Sequence, residues 1–388
     1  MKSKVNKNDI LIKKLKNDLI TNKTNLFYSF FPSSKYNFKF NDLKKFKKFN
    51  TIILIGMGGS ALGAKAIYSF LRHKIKKKFI FLDNLDKNSF IYIKSNFNLK
   101  STLFLVISKS GNTLETIVNF SYFKSFVKKT NTIFISEYKN NILSNYAKKN
   151  KLTFIKHDPF IGGRYSVFSE VGMLPAYLMG LNPNNFKKNL PKLLRNNKVY
   201  KDSTKSLFKV KKFKNLIFLN YVPELNDFLF WCQQLLAESL GKNKKGLTPI
   251  ISNAPKDHHS LLQLYLDGPK DKFFYIFSSN IKKNKKIKCK SFGKEIHYLD
   301  NRDYEEVKNS QKESIKTVFI EKKIPFREIN IKKFNEDTLG RLFLSFIIET
   351  MAFGKILKVN PFDQPAVEQV KILTKKLLVL KKFTKKNF

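Results

Sequence analysis

The feature that most constrains the fold is an uninterrupted apolar strand that ends in a glycine-rich turn. The run Thr51-Ile52-Ile53-Leu54-Ile55 is rich in β-branched residues and does not alternate with polar ones, which is typical of a strand covered on both faces. Gly56 to Ser60 follow it, and residues 61–71 have a helical pattern. Strand patterns recur at 79–82, 102–107 and 132–136, each followed by a possible helix. This alternation predicts parallel βαβ units.

The second half of the chain repeats the alternation, so we expect two domains. Further strands are predicted at 216–219, 247–252 and 273–278, and at either 317–321 or 326–331. Helices are predicted at 8–21, 227–240, 336–354 with Gly354 at its C-terminal end, and 366–382. The fold class is therefore α/β, with two three-layer α/β sandwich domains built on parallel sheets and a C-terminal helical arm. We divide the chain into a helical lead-in (1–45), a first domain (46–185), a second domain (186–358) and the arm (359–388).

The net charge is high, but the sequence alone does not connect it to a partner. There are 75 Lys and Arg residues against 29 Asp and Glu, which gives a formal charge of +46. Only six of the basic residues are Arg, and Lys is spread through every segment together with Asn, Ile and Phe. All four of these residues have A- and T-rich codons. We therefore attribute the excess to genome composition and expect no specific nucleic-acid partner, because a polyanion footprint should cluster on one face.

Other classes of protein are excluded by simple features. The two cysteines, Cys232 and Cys289, cannot build a disulfide framework or a zinc site, and we expect no metal. No run reaches the ~18 apolar residues of a membrane span. The first twenty residues alternate Lys with Leu and Ile and lack the apolar core of a signal peptide. We therefore expect a cytoplasmic protein without membrane association.

Two loops after predicted strands carry the chemistry of anion binding. The glycines of Gly56 to Ala61 allow an anion to approach backbone N–H groups at a helix N-terminus, which Ser60 can cap. The same loop also fits a loose dinucleotide pattern with Asp83 at the end of the next strand, or a tight turn without ligand. Residues 108–113 place three hydroxyls and a lysine in six positions, which suits a terminal phosphate dianion. Such residues are also ordinary turn formers.

Five segments, taken in order, resemble the glucose-6-phosphate isomerase family of sugar-isomerase (SIS) domain proteins. The segments are Gly56-Met57-Gly58-Gly59-Ser60-Ala61-Leu62-Gly63, Ser108-Lys109-Ser110-Gly111-Asn112-Thr113-Leu114-Glu115-Thr116, Gly162-Gly163-Arg164-Tyr165-Ser166, Ala237-Glu238-Ser239-Leu240-Gly241-Lys242 and Gln364-Pro365-Ala366-Val367-Glu368-Gln369-Val370-Lys371. The chain departs from the family at Leu240 (usually Asn), at Ala366 (usually Gly) and at Asp257-His258-His259-Ser260, where Gly-Gln-His-Ser is usual. Asn112 is also seen in bifunctional glucose/mannose phosphate isomerases.

The resemblance implies a cofactor-free aldose–ketose isomerase that moves a proton between C2 and C1 through a cis-enediolate. Glu238 is the implied base, and we expect partial burial to raise its pKa; a helix-end Glu pairing with Lys242 is the alternative. Arg164 would offset the enediolate charge, and His259 with Lys371 would open the sugar ring. The implied substrate-binding residues are Gly59, Ser60, Ser108, Lys109, Ser110, Thr113, Gln234 and Gln364.

The resemblance also implies an assembly and leaves rival functions open. The expected form is a homodimer of SIS-type subunits in which His259 crosses into the neighbouring site and the C-terminal helix closes the cleft. One rival is a bifunctional enzyme that also isomerises mannose 6-phosphate. A second is a non-catalytic sugar-phosphate sensor, which the presence of Glu238, Arg164 and Lys371 argues against. A third is a dinucleotide-dependent oxidoreductase built on residues 56–61.

Overall fold

Two parallel β-sheets flanked by helices form the body of the protein. The computed structural model describes residues 25–196, 207, 209–279 and 286–384, so the helix predicted at 8–21 lies outside the described residues. The sheets have the strand orders β2-β1-β3-β4-β5 and β7-β6-β8-β9, and every strand pair is parallel. The predicted α/β class with parallel sheets is confirmed.

The first sheet follows the predicted apolar runs closely. Its strands are β1 Thr51–Ile55, β2 Lys78–Leu82, β3 Thr102–Ile107, β4 Thr132–Glu137 and β5 Thr153–His157. The strand β5 was not predicted; it is an edge strand with Lys156 exposed and two half-buried positions. The helices in this half of the chain are α1 Asn25–Tyr28, α2 Phe40–Leu43, α3 Leu62–Phe70, α4 Lys87–Asn96, α5 Leu114–Phe123, α6 Ile142–Lys149, α7 Glu170–Leu178, α8 Pro183–Lys187 and α9 Leu190–Arg195.

The second sheet resolves one ambiguity in the predicted strands. Its strands are β6 Asn215–Asn220, β7 Thr248–Asn253, β8 Lys272–Ser279 and β9 Phe326–Ile331. The alternative strand at 317–321 is wrong, because those residues form the last turns of a helix. The helices in this half are α10 Asn226–Leu240, α11 Leu262–Asp267, α12 Tyr304–Glu321, α13 Glu336–Leu357 and α14 Glu368–Thr384.

One continuous hydrophobic core lies between the two sheets. It combines Ile52 and Leu105 of the first sheet with Phe218 of the second, and it includes buried residues of α3, α7, α10 and α13. A second core covers the opposite face of the first sheet under α4, α5 and α6, and a third covers the opposite face of the second sheet under α11 and α12. Because α3 packs against α10 in the shared core, loops from the two halves of the chain meet beside them.

The C-terminal segment differs from the prediction in two ways. Helix α13 continues past Gly354 to Leu357 and ends at Lys358, which has a φ of 55°, so the predicted glycine terminus is wrong. Gly354 instead allows close packing, since a Cβ there would lie 3.2 Å from the Cβ of Pro361. Helix α14 was expected to close the cleft, but its described side chains up to residue 380 are exposed except for the half-buried Thr374. Among the described residues, no helix is long and apolar enough to cross a membrane.

Candidate active site

The two candidate anion loops lie side by side at the carboxyl ends of β1 and β3. These strands are neighbours, but β2 lies on the opposite side of β1, so the chain connections diverge here. Ligands of open parallel sheets bind at such points. A Cβ on Gly56 would lie only 2.9 Å from the carbonyl oxygen of Ile107, the last residue of β3. The two loops therefore form one crevice.

Residues 108–113 form a tight turn that is ordered by its own hydroxyls. The hydroxyls of Ser108 and Thr113 lie 2.8 Å apart, and the backbone N–H of Gly111 donates to the Ser108 carbonyl oxygen at 3.1 Å. Gly111 has a φ of 67°, and a Cβ there would lie 1.9 Å from Asn141 Oδ1, so only glycine fits. The Lys109 ammonium donates to the carbonyl oxygen of Pro159 at 2.8 Å.

Glycines in the other loop allow contacts that larger residues would block. A Cβ on Gly59 would lie 2.2 Å from the carbonyl oxygen of Gly163 and 2.7 Å from the backbone nitrogen of Arg164. Gly58 has a φ of 52°, and its Cβ would lie 2.6 Å from Gln234 Nε2. Ser60 does not cap the following helix as predicted, because α3 begins at Leu62 with Ala61 as its N-cap. The loop thus packs directly against the segments that carry Arg164 and Gln234.

Glu238 lies in the last turn of α10, where two donors hold its carboxylate. Gln234 Nε2 donates to one oxygen at 2.9 Å, as the i, i+4 spacing predicts, and Arg164 Nη1 approaches the other at 3.3 Å. The Glu238 side chain remains 32% exposed, so a ligand can reach it. The alternative pairing with Lys242 is wrong, because the Lys242 ammonium lies 2.6 Å from Asp363 Oδ1 instead. This ion pair lowers the pKa of the Asp363 carboxyl.

Arg164 is buried, and each of its five N–H groups faces an oxygen of the protein. Nε donates to Ser239 Oγ at 2.8 Å, and Nη2 donates to the carbonyl oxygens of Pro361 and Asp363 at 2.7 and 2.9 Å. Nη1 is shared between Glu238 and Gln364 Oε1, the latter at 3.1 Å. The guanidinium therefore connects the helix of Glu238 to the segment that precedes α14.

One polar atom next to Glu238 has no partner among the described residues. The side-chain oxygen of Gln234, Oε1, is buried and accepts no hydrogen bond from them, while the amide nitrogen of the same group holds Glu238. Buried polar atoms are almost always paired with protein, water or ligand, so an unpaired acceptor here marks a place for a donor such as a hydroxyl.

His259 and Lys371 lie apart from this group within the single chain. His259 is exposed at the end of a 3₁₀ turn, Lys256–His259, which follows β7. The neighbouring His258 is held by the Tyr221 hydroxyl at 2.8 Å, and burial followed by the charge of His259 lowers the pKa of His258. Lys371 is exposed on α14, and its ammonium lies 3.1 Å from Glu368 Oε2. Gln364, in contrast, reaches Arg164 directly.

Two residues that help to hold Arg164 in place, Ser239 and Tyr165, had no role predicted from the sequence. The buried hydroxyl of Ser239 lies 3.0 Å from the Tyr165 hydroxyl, which donates to the Pro361 carbonyl oxygen at 2.9 Å. In the sequence, Ser239 and Tyr165 stand out only because they are next to Glu238 and Arg164 in their motifs. The contact with a backbone carbonyl oxygen cannot be predicted from the sequence, because every residue type carries one. In the described residues, no group of three or more His, Cys, Asp or Glu side chains could hold a metal ion.

Comparison with known proteins gives concordant matches over most of the chain. A family model described as phosphoglucose isomerase matches residues 42–387. The glucose-6-phosphate isomerase of Methanocaldococcus jannaschii is 31% identical over 360 residues, which cover 87% of each chain. A protein of Methanococcus maripaludis named as a probable glucose-6-phosphate isomerase is 32% identical over 370 residues, covering 90% of this chain and 83% of that protein.

A solved structure confirms the fold independently of the motifs. A hypothetical protein from Thermus thermophilus superposes with a TM-score of 0.84, covers 95% of each chain and is 22% identical in sequence. At that sequence identity the match supports the fold alone.

Proposed function

This chain belongs to the phosphoglucose isomerase family, and from that membership we propose that it interconverts glucose 6-phosphate and fructose 6-phosphate, a step shared by glycolysis and gluconeogenesis. The observation that carries the proposal is the carboxylate of Glu238, which is held between Gln234 and Arg164 at the crevice of β1 and β3. A sensor of sugar phosphates needs the anion loops alone, whereas a positioned carboxylate beside a guanidinium suits proton abstraction next to a carbonyl.

The proposed chemistry depends on how the two carboxylate oxygens of Glu238 are held. A proton on C2 of the open-chain sugar is weakly acidic, so its removal needs a placed base and a stabilised oxyanion. Gln234 fixes one carboxylate oxygen and leaves the other opposite Arg164 Nη1. The Nη1 contact to Glu238, at 3.3 Å, is the longest of the five that Arg164 makes. It is therefore the contact that an enediolate oxygen replaces most easily.

The phosphate group would bind at the turn of residues 108–113. Ser108, Ser110 and Thr113 place hydroxyls there at the carboxyl end of β3, and the turn leads into α5, which begins at Leu114. Hydroxyl and backbone donors near a helix N-terminus suit a phosphate dianion. Gly59 and Ser60 would line the opposite wall, and Lys109 would leave its carbonyl partner for the phosphate.

Ring opening would require groups that one chain does not bring together. We expect a homodimer in the cytoplasm, in which the exposed His259 of one subunit completes the site of the other. Lys371 would contribute from α14. The segment that precedes this helix is hydrogen-bonded to Arg164 through Gln364.

Two assays test the proposal. Purified protein is given fructose 6-phosphate with a glucose-6-phosphate dehydrogenase coupling system, and mannose 6-phosphate is run in parallel as the substrate of the bifunctional alternative. NADPH formation from fructose 6-phosphate is expected, and its absence would contradict the proposed activity. Equal turnover of mannose 6-phosphate would establish the bifunctional enzyme.

Sharing of the site between subunits has a separate test. Inactive Glu238→Gln and impaired His259→Ala proteins are unfolded together and refolded as a mixture. If His259 acts across the interface, each mixed dimer contains one site with both native residues, so random pairing should restore about a quarter of wild-type activity. If both residues act within one chain, mixing restores nothing.

A further inference from the structure

The charge of the first sheet is distributed unevenly between its two ends. Five segments lead into the amino ends of its strands, and together we name them the amino face: 44–50, 71–78, 97–101, 124–131 and 148–152. They contain sixteen basic residues and no Asp or Glu. The basic residues are Lys44, Lys45, Lys47, Lys48, Arg72, Lys74, Lys76, Lys77, Lys78, Lys100, Lys124, Lys128, Lys129, Lys148, Lys149 and Lys151.

Composition alone does not explain this concentration. With 75 basic and 29 acidic residues in 388, an average stretch as long as these 33 residues would hold about six basic and two or three acidic ones. The segments that follow the carboxyl ends of the same strands (56–61, 83–87, 108–113, 137–141 and 158–164) contain four basic and four acidic residues. A codon bias acts on both ends of the sheet alike, whereas the charges separate by position in the fold.

The five segments form one surface because the strands are parallel. Strand starts are adjacent in the order β2-β1-β3-β4-β5, with Thr51 paired to both Lys78 and Thr102. Four spacings of about 4.8 Å make the face about 19 Å wide. All sixteen side chains are exposed except Lys77, which is half-buried.

Within the part of the chain that the structure describes, the basic residues of this face have almost no acidic partners. Among the described residues, the one ion pair that the sixteen make is Lys74 with Glu336, at 2.7 Å. Lys77 donates to the carbonyl oxygen of Lys47 at 2.6 Å. Burial, with a smaller contribution from the charge of Lys47, lowers the pKa of Lys77.

We propose that the amino face binds the phosphate backbone of double-stranded nucleic acid without reading its sequence. A duplex carries one charge per ~1.7 Å, so about eleven phosphates fall within the width of the face. Fifteen of the sixteen basic residues are Lys, with Arg72 the exception. Lys contacts a phosphate as a point charge, whereas base edges are read mainly by the bidentate fork of Arg.

Other occupants lack support in the same segments. None of the exposed large hydrophobic side chains of the described chain lies in the five segments. A membrane surface needs apolar side chains to insert, and a single strand needs aromatic rings on which its bases stack. A second copy of this chain would bring sixteen positive charges against sixteen more. The face also lies at the end of the sheet opposite to the crevice of Glu238, so both can be occupied together.

The experiment uses the full chain and two quadruple variants with the same change in net charge. Binding to a fluorescein-labelled 20-base-pair duplex, as DNA and as RNA, is followed by anisotropy between 50 and 200 mM KCl. The amino-face variant carries Lys45→Gln, Lys48→Gln, Lys76→Gln and Lys129→Gln. The control variant carries Lys294→Gln, Lys322→Gln, Lys332→Gln and Lys333→Gln, all exposed positions in the second half of the chain.

Wild type should bind duplexes of unrelated sequence with equal affinity and with a steep loss on adding salt. Each lost phosphate contact lowers the slope of log K against log[salt] by about 0.9, so the amino-face variant should lose up to about 3.6 from the slope and at least tenfold in affinity. The control variant should bind within about twofold of wild type. Unchanged isomerase activity and melting temperature show that both variants are folded.

Three results would overturn the proposal. The first is equal weakening in the two variants, which would mean that net charge alone matters. The second is tighter binding of a single strand than of a duplex. The third is binding to phosphatidylserine vesicles with none to either duplex, which would make the face a membrane surface.

Discussion

Replacing Glu238 by Gln removes the candidate base while keeping the shape of the side chain. The carboxylate has two oxygens, one facing Gln234 Nε2 at 2.9 Å and the other facing Arg164 Nη1 at 3.3 Å. An amide has one oxygen and one NH₂ group, so one of these two donors must face another donor. The substitution therefore removes the proton acceptor and also loosens one of the two contacts that orient it.

The rate should fall far more than the affinity or the stability. Loss of a general base typically costs 10²–10⁴-fold, which corresponds to about 2.7–5.4 kcal/mol of activation free energy. We expect the upper half of this range, because the described residues around Glu238 offer Gln234 and Arg164 as neighbours and neither is a base. KM should change less than about threefold, since residues 108–113 are untouched. The free energy of unfolding should change by about 1 kcal/mol or less, since a third of the side chain is exposed.

The assay combines the coupled isomerase rate with solvent deuterium incorporation at C1 and C2. Glu321→Gln is the matched control, because Glu321 is an exposed carboxylate at the C-terminal end of another helix, α12, and should retain full activity. His259→Ala should differ from both, because it should slow the turnover of ring-closed substrate more than that of substrate already in open-chain form. If Glu238→Gln keeps more than about a tenth of wild-type turnover and still exchanges deuterium, Glu238 is not the base.

Three further perturbations test other parts of the structure. Gly59→Ala places a Cβ 2.2 Å from the carbonyl oxygen of Gly163 and should reduce kcat at least tenfold, whereas Gly163→Ala, with nothing within 4 Å, should be close to wild type. Ser239→Ala leaves the buried Nε–H of Arg164 without an acceptor and should cost about 1–3 kcal/mol in urea unfolding. Burial lowers the pKa of Lys187 to about 7 from its ordinary 10.5. Between these two pKa values the Lys187 side chain is protonated in the unfolded chain and neutral in the folded protein. The free energy of unfolding of the wild type should therefore rise with pH above 7, by up to about 1.4 kcal/mol per pH unit. Equilibrium denaturation of Lys187→Met at pH 7 and 9 should lack that rise.

The sequence predicted the elements whose side chains are uniformly buried and missed those in which buried and exposed positions are mixed. The strands Thr51–Ile55 and Thr102–Ile107 are buried almost throughout and are continuously apolar, so their pattern is unambiguous. The edge strand Thr153–His157 mixes half-buried, buried and exposed positions, and three of its five residues are polar. The helix Tyr304–Glu321 is largely a charged surface helix with few buried positions, so its sequence lacks a clear apolar stripe and suggested a strand at 317–321 instead.

In the candidate site, contacts between residues close in the sequence could be predicted, whereas contacts between distant residues could not. The pairing of Gln234 with Glu238 follows from helical spacing, and the close approach of the loop at Gly59 follows from its glycines. The partners of Arg164 do not follow from any local pattern. Two of them are backbone carbonyl oxygens at Pro361 and Asp363, almost two hundred residues away, and every residue type carries such an oxygen.

The five donors of Arg164 divide into an anchoring set and a pair that a ligand can compete for, and from this division we expect that lysine cannot replace Arg164 in a chain that otherwise prefers lysine. Nε and Nη2 are used by Ser239 and by the carbonyl oxygens of Pro361 and Asp363, and these bonds anchor the segment that precedes α14. Nη1 alone faces Glu238 and Gln364, so a ligand oxygen that binds Nη1 competes for those contacts and leaves the anchor intact. A lysine ammonium has three donors on one atom and would have to give up the anchor to reach a ligand.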